Sequence, residues 1–149
     1  MKIALGSDHG GLELKKQIIL HLESKNIETK DFGTYTEDSC DYPDYALEVA
    51  ETVVAEKFEL GILICGTGIG IGIAANKVPG IRAALCHDTF SAHATREHNN
   101  ANILTLGARV IGIGLALDIV DAFINAKFQG ERHQKRIDKI TEIEKKYSK

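Results

Sequence analysis

Cysteine is scarce in this chain: Cys40, Cys65 and Cys86 are its only three, widely spaced and without a C-x-x-C pair. An odd count at that spacing offers neither a zinc site nor a redox dithiol, and free thiols in a reducing compartment are the expectation. Positive charge is not in excess either. The net charge is -3, and basic residues cluster only in the last twenty positions. No broad electrostatic footprint for nucleic acid or an anionic membrane results, so neither is an expected partner and small-molecule chemistry is the starting point. A long apolar run is missing at the N-terminus, where "MKIALGSDHGG" has one lysine and a short apolar segment that ends in charge. That is neither a signal peptide nor a spanning helix, and a cytoplasmic location is expected. No internal repeat or low-complexity linker divides the 149 residues. That length suits one domain, residues 1–149, with a core that needs no staple or metal.

What is present is an alternation. Short apolar runs recur at 2–7 (KIALGS), 60–66 (LGILICG), 81–87 (IRAALCH) and 103–108 (ILTLGA), with a weaker one at 27–33 (IETKDFG). Between them lie segments of helical spacing, such as 12–25, with Leu14, Ile18 and Leu22 in register, then 44–57 and 114–128. Nearly continuous apolar strands separated by amphipathic helices predict an α/β fold, a doubly wound, five-stranded parallel sheet of Rossmann type covered on both faces. After Gly130 the chain is charged except for a stripe of Ile137, Ile140, Ile143 and Tyr147. One narrow apolar stripe on an extra C-terminal helix predicts packing against a neighbour such as another subunit.

Ligands of such sheets bind at the carboxyl ends of the strands, which collects Ser7 to Gly11, Cys65 to Gly70, and His87 with Asp88 at one edge. The stretch "LGILICGTGIGIGIAANK" places Gly66, Gly68, Gly70 and Gly72 at every second position. Glycine there costs backbone entropy and allows main chain to approach something closely. Read as strand, loop and helix start, the segment aims amides at an anion. It lacks the lysine and hydroxyl of a nucleotide P-loop. Gly70, Gly72 and Ala75 do fit the relaxed G-x-G-x-x-[GA] pattern, with Asp88 18 residues after Gly70, so a dinucleotide-binding module is the competing reading. Against it, so short a chain leaves no room for a substrate domain.

Cys65 sits one residue before this loop, where a helix terminus lowers a thiol's pKa and suits it to act as nucleophile or base; the plain alternative is a small buried hydrophobe. Cys40 and Cys86 fit that alternative better. His93 and His98 are five apart and so do not form the i, i+4 metal pair. His98 beside Asn99 at a helix end suits acid–base work, against the alternative of a surface histidine. Arg132 and Arg136 share one helix face, which suits either a phosphate or a solvated, ion-paired surface.

Taken together, "ALGSDHGG", "CGTGIG", "REHNNANILTLGARVIG" and "ERHQKRI" resemble the type B ribose-5-phosphate isomerases, within a group that includes galactose-6-phosphate isomerase subunits. The resemblance covers essentially the whole chain. It implies an isomerase of the pentose phosphate pathway that interconverts ribose 5-phosphate and ribulose 5-phosphate through an enediolate, with no metal and no cofactor. Cys65 matches the family's base, and Gly66, Thr67, Gly68, Ile69 and Gly70 match its anion hole, with the Thr67 hydroxyl relaying protons. His98 matches the proton donor that opens the furanose, and Asn99 a sugar contact. Asp8 would hold a sugar hydroxyl, while His9, Arg109, Arg132 and Arg136 match positions that bind substrate, mainly its phosphate. One branch of the family replaces the cysteine with a carboxylate farther along the loop; position 74 here is alanine, which places this chain in the cysteine branch. The family also implies a homodimer or tetramer with each site shared between subunits. A hexose 6-phosphate such as allose 6-phosphate is the alternative substrate, because one more carbon needs only modest extra room.

Overall fold

The computed structural model of the chain describes residues 1–148. Five strands, β1 (Lys2–Ser7), β2 (Glu28–Asp31), β3 (Leu60–Cys65), β4 (Ala83–Leu85) and β5 (Ile103–Gly107), form one parallel sheet in the order β2-β1-β3-β5-β4. Six helices accompany them: α1 (Leu12–Ser24), α2 (Tyr42–Val54), α3 (Ile69–Ala75), α4 (Thr89–Asn99), α5 (Ile113–Asn125) and α6 (Arg132–Tyr147).

Side chains alternate across the sheet with the strand period of two. Ile3, Leu5, Ile62, Ile64, Leu104 and Leu106 face α1, α4 and α5, where Leu14, Ile18, Leu22, Val120 and Phe123 complete one core. Ala4, Leu63, Cys65 and Ile103 face α2 and α3, meeting Val49, Val53 and Ile71 in the other. Strands buried on both faces must be apolar throughout, which is why 2–7, 60–66 and 103–108 were legible as strands. The outer two are cut short. The expected 27–33 and 81–87 contract to Glu28–Asp31 and Ala83–Leu85, because a sheet edge pairs on one side only and short edge strands, polar as well in β2, resist adding another chain.

Helix α6 lies outside this layered arrangement. Only His133 and Ile137 are buried along it, whereas Ile140, Ile143 and Tyr147 are 50%, 62% and 79% exposed. The apolar stripe is thus partnered at its first position and open beyond it. Among the described residues, no helix is long and apolar enough to cross a membrane.

Candidate active site

The chain leaves β1 for α1 on one face of the sheet and β3 for α3 on the other, so a crevice opens between these two strands at their carboxyl ends. Asp8 starts the β1 side. Its Oδ1 accepts the Gly11 N–H at 3.1 Å and caps a 3-10 turn over His9–Gly11. That turn presses on β3, and a Cβ at Gly11 would stand 2.5 Å from the Ile64 carbonyl oxygen, so only glycine permits the approach. A Cβ at Gly10 would lie 3.6 Å from the Gly66 nitrogen, which places the Asp8–Gly10 segment directly across from the loop that follows Cys65.

Cys65 is 5% exposed, and its Sγ accepts the Gly68 N–H at 3.1 Å. The Ile69 N–H goes to Thr67 Oγ1 at 3.2 Å. Gly66 and Thr67 donate their N–H groups to no protein atom among the described residues, so the free amides of the loop are at its start. Gly68 holds the loop's shape: its φ of 75° is left-handed, and a Cβ there would stand 2.7 Å from the Leu106 carbonyl carbon and 2.7 Å from Leu85 Cδ1. Thr105 Oγ1 donates to the Gly68 oxygen at 2.8 Å and pins the same peptide from the sheet. Gly68→Ala is therefore expected to cost about 3 kcal/mol of stability, combining left-handed strain with overpacking. Urea denaturation measures this, and a variant as stable as the parent would show that the loop relaxes freely.

Three further groups border the crevice. Arg109 donates its backbone N–H to the Gly66 oxygen at 3.0 Å, and its side chain runs along Gly66, with Cδ, Nε and Nη1 3.5–3.7 Å from where a Cβ would be. His9 Nδ1 accepts the Cys40 N–H at 3.3 Å; in the neutral ring the proton then sits on Nε2, leaving a donor there. His87 Nε2 accepts the Gly107 N–H at 3.1 Å. Asp8, His9, Cys65 through Gly70 and Arg109 are thus assembled at one edge, as strand ends in this topology must be.

His98, Asn99, Arg132 and Arg136 are not brought there. Helix α4 begins after β4 at the carboxyl edge and runs back across the sheet for roughly 16 Å, at 1.5 Å per residue. Its end is held at the opposite edge by Arg82, just before β4, whose Nε donates to the Asn99 carbonyl at 2.9 Å. There His133 stacks on His98, with ring centroids 4.4 Å apart and planes 14° from parallel, while Arg132 and Arg136 are exposed one turn apart on α6. The residues singled out from the sequence therefore fall into two groups, at opposite edges of the sheet.

The dinucleotide pattern is not assembled. Gly70 and Gly72 lie inside α3 rather than in the turn before it, and Asp88 caps α4 by accepting the Ser91 N–H at 2.6 Å and its hydroxyl at 2.9 Å. Those two bonds hold the Asp88 carboxyl below its ordinary range, as an occupied cap rather than a ribose contact. Cys86 is the buried residue the sequence suggested, whereas Cys40, expected to be another, is only half-buried. All three cysteines are free, but burial pushes the Cys86 thiol up to about 11, consistent with an inert core residue.

Residues that sequence reasoning passed over also border the site. The Tyr42 ring packs on Gly70, where a Cβ would be 2.6 Å from its Cζ, and Cys40 meets His9 Nδ1 with both its backbone N–H, at 3.3 Å, and its sulfur, at 3.8 Å. Neither carried a signal, because Cys40 lies in the irregular segment before α2 and Tyr42 at the first position of that helix, and where both fall depends on long-range contacts. Among the described residues, no three metal-ligating side chains gather.

This is a doubly wound α/β protein with a buried cysteine beside free amides at the switch point, where such folds bind small ligands. The family profile described as ribose/galactose isomerase matches residues 3–140, and the chain belongs to that family. It is 49% identical to ribose-5-phosphate isomerase B of Escherichia coli over 97% of each chain. It is 54% identical to a putative sugar phosphate isomerase of Bacillus subtilis, over 98% of this chain and 99% of the relative. Among solved structures, ribose-5-phosphate isomerase B of Clostridium thermocellum matches with a TM-score of 0.98 at 59% identity, over 99% of this chain and all of that one. The Mycoplasma genitalium enzyme, solved with bound ribulose 5-phosphate, matches with a TM-score of 0.93 at 47% identity, over 97% and 96% of the two chains.

Proposed function

We infer that this chain is an aldose–ketose isomerase that interconverts ribose 5-phosphate and ribulose 5-phosphate through an enediolate. The observation that carries this reading is the buried Cys65 sulfur beside the unbonded Gly66 and Thr67 amides. Isomerisation needs a base that moves a proton between C2 and C1 and donors that meet the oxyanion formed as it moves. Cys65 is the base, and the Gly66–Gly70 loop stabilises the oxyanion through the amides at its start. The Thr67 hydroxyl, exposed beside them, relays protons to the substrate oxygens. Asp8 keeps one carboxylate oxygen for a sugar hydroxyl while the other caps its turn. His9, through Nε2–H, and Arg109 hold the anionic substrate.

The remaining roles fall to the second group. His98 protonates the ring oxygen while the anomeric hydroxyl gives its proton to solvent, so the furanose opens to the free aldehyde, with Asn99 on the sugar and Arg132 and Arg136 on the phosphate. Because these residues lie a sheet's depth from Cys65, a complete site takes Cys65 from one subunit and His98 from another. The assembly is a homodimer, the unit is one domain over the whole chain, and it works in the cytoplasm without metal or cofactor. Neither nucleic acid nor a membrane is a partner.

Turnover of ribose 5-phosphate and allose 6-phosphate in excess chelator tests this reading. Strong pentose turnover is expected. Turnover of the hexose alone would change the substrate and keep the mechanism, whereas turnover of neither would overturn the assignment. For the phosphate contacts, Arg132→Ala and Arg136→Ala are each expected to raise KM by roughly ten- to hundredfold, the value of a charged hydrogen bond, with a smaller effect on kcat. An unchanged KM would return both arginines to the solvated face of α6.

A further inference from the structure

The ring that lies on His98 has no role in the chemistry so far. His133 is 6% exposed, stacks on the half-buried His98 at 4.4 Å, and has a buried Nε2 with no hydrogen-bond partner. The start of α6 is docked to bring it there: Gln129 donates its N–H to the Glu97 carbonyl at 3.0 Å, and His133 donates its own to Gly130 at 3.0 Å. A buried imidazole with an orphaned nitrogen is a costly way to fill space that leucine would fill without penalty. Its value must therefore lie in the face it presents.

We propose that His133 is a positioning residue for His98: its buried ring is the platform that fixes the plane of the His98 imidazole for delivery of a proton to the sugar. This rests on the isomerase reading above. The groups that face His133 are His98 from α4, Glu131 just before α6, and Arg132 and Arg136 from α6. Burial first, then the positive charges of His98, Arg132 and Arg136, disfavour the His133 imidazolium, so the ring is suited to serve His98 as an uncharged platform. An uncharged aromatic face beneath an imidazolium is attractive, whereas two stacked imidazoliums repel. A general acid held in one plane meets its acceptor without a search, which is where positioning contributes to rate.

Two substitutions of similar bulk separate the platform from mere packing. His133→Phe keeps an aromatic face, and His133→Leu fills the same space without one. Ring-current shifts of the His98 resonances by NMR, ribose 5-phosphate turnover, and solvent deuterium exchange at C1 of ribulose 5-phosphate are measured in each. Exchange at C1 requires the base but no ring opening. With Leu, the His98 ring-current shift is expected to vanish and ribose 5-phosphate turnover to fall roughly ten- to hundredfold, with C1 exchange largely retained. With Phe, both shift and turnover are expected to stay near those of the parent. Equal turnover in the two variants, or equal loss of exchange and turnover with Leu, would overturn the proposal. If the parent turned over no sugar phosphate, the isomerase reading would fail by itself. The NMR comparison would still decide the platform, and a His98 shift indifferent to Phe or Leu would remove it.

Discussion

Replacing Cys65 with alanine is expected to lower isomerisation by at least about a thousandfold, within the range for loss of a general base, while leaving the protein folded and able to bind sugar phosphate. The sulfur is one small atom in a core otherwise made by Val49, Leu63 and Ile71, and the Gly68 N–H it accepts lies in a loop also pinned by Thr105 and Gly107. Binding persists because Asp8, His9, Arg109 and the Gly66 amide are untouched. Ribose 5-phosphate should therefore still raise the melting temperature of the variant, as any ligand of the native state does. Solvent deuterium exchange into C1 of ribulose 5-phosphate should disappear with turnover, since both require the same proton transfer. Turnover that survived the substitution would remove Cys65 as the base.

Mixing two inactive variants should restore activity. Cys65→Ala and His98→Asn each damage one of the two residue groups proposed to share a site, and the two groups lie at opposite edges of the sheet. In a mixed dimer, one site receives both damaged residues and the other receives both intact ones. If the two variants are unfolded together and refolded at equal concentration, half of the dimers are mixed and about a quarter of the parental activity is expected from the two-fold arrangement. Neither variant refolded alone should exceed its own residual rate. A mixture no better than the average of its components would show that each site is built within one chain. His98→Asn alone should spare C1 exchange of ribulose 5-phosphate, an open-chain ketose, while suppressing turnover of the cyclic aldose.

The central strands and their covering helices were legible because burial on both faces requires unbroken apolar runs, and helices of the right period lay between them. The edge strands were overestimated because the sequences around Thr29 and Ala84 carry no mark of where pairing stops. That limit is set by neighbours: β2 pairs only with β1, and β4 only with β5. The glycine loop was legible as a place of close approach, but not which amides remain free. That depends on Gly68 turning its N–H to the Cys65 sulfur.

By itself, the sequence determined the α/β alternation, the set of residues at the carboxyl edge and, through its motifs, the family to which the chain belongs. These are local matters, governed by apolar periodicity, by glycine where backbone must be close, and by residue types with few alternative uses. Only the tertiary structure decided that His98, Asn99, Arg132 and Arg136 stand away from Cys65, that Tyr42 and Cys40 border the site, and that His133 lies beneath His98. The physical reason is common to all three. A parallel sheet sends each helix back to the edge from which its strand started, so residues close in sequence to one edge can end at the other. Which side chains then meet is set by packing between elements far apart in the chain.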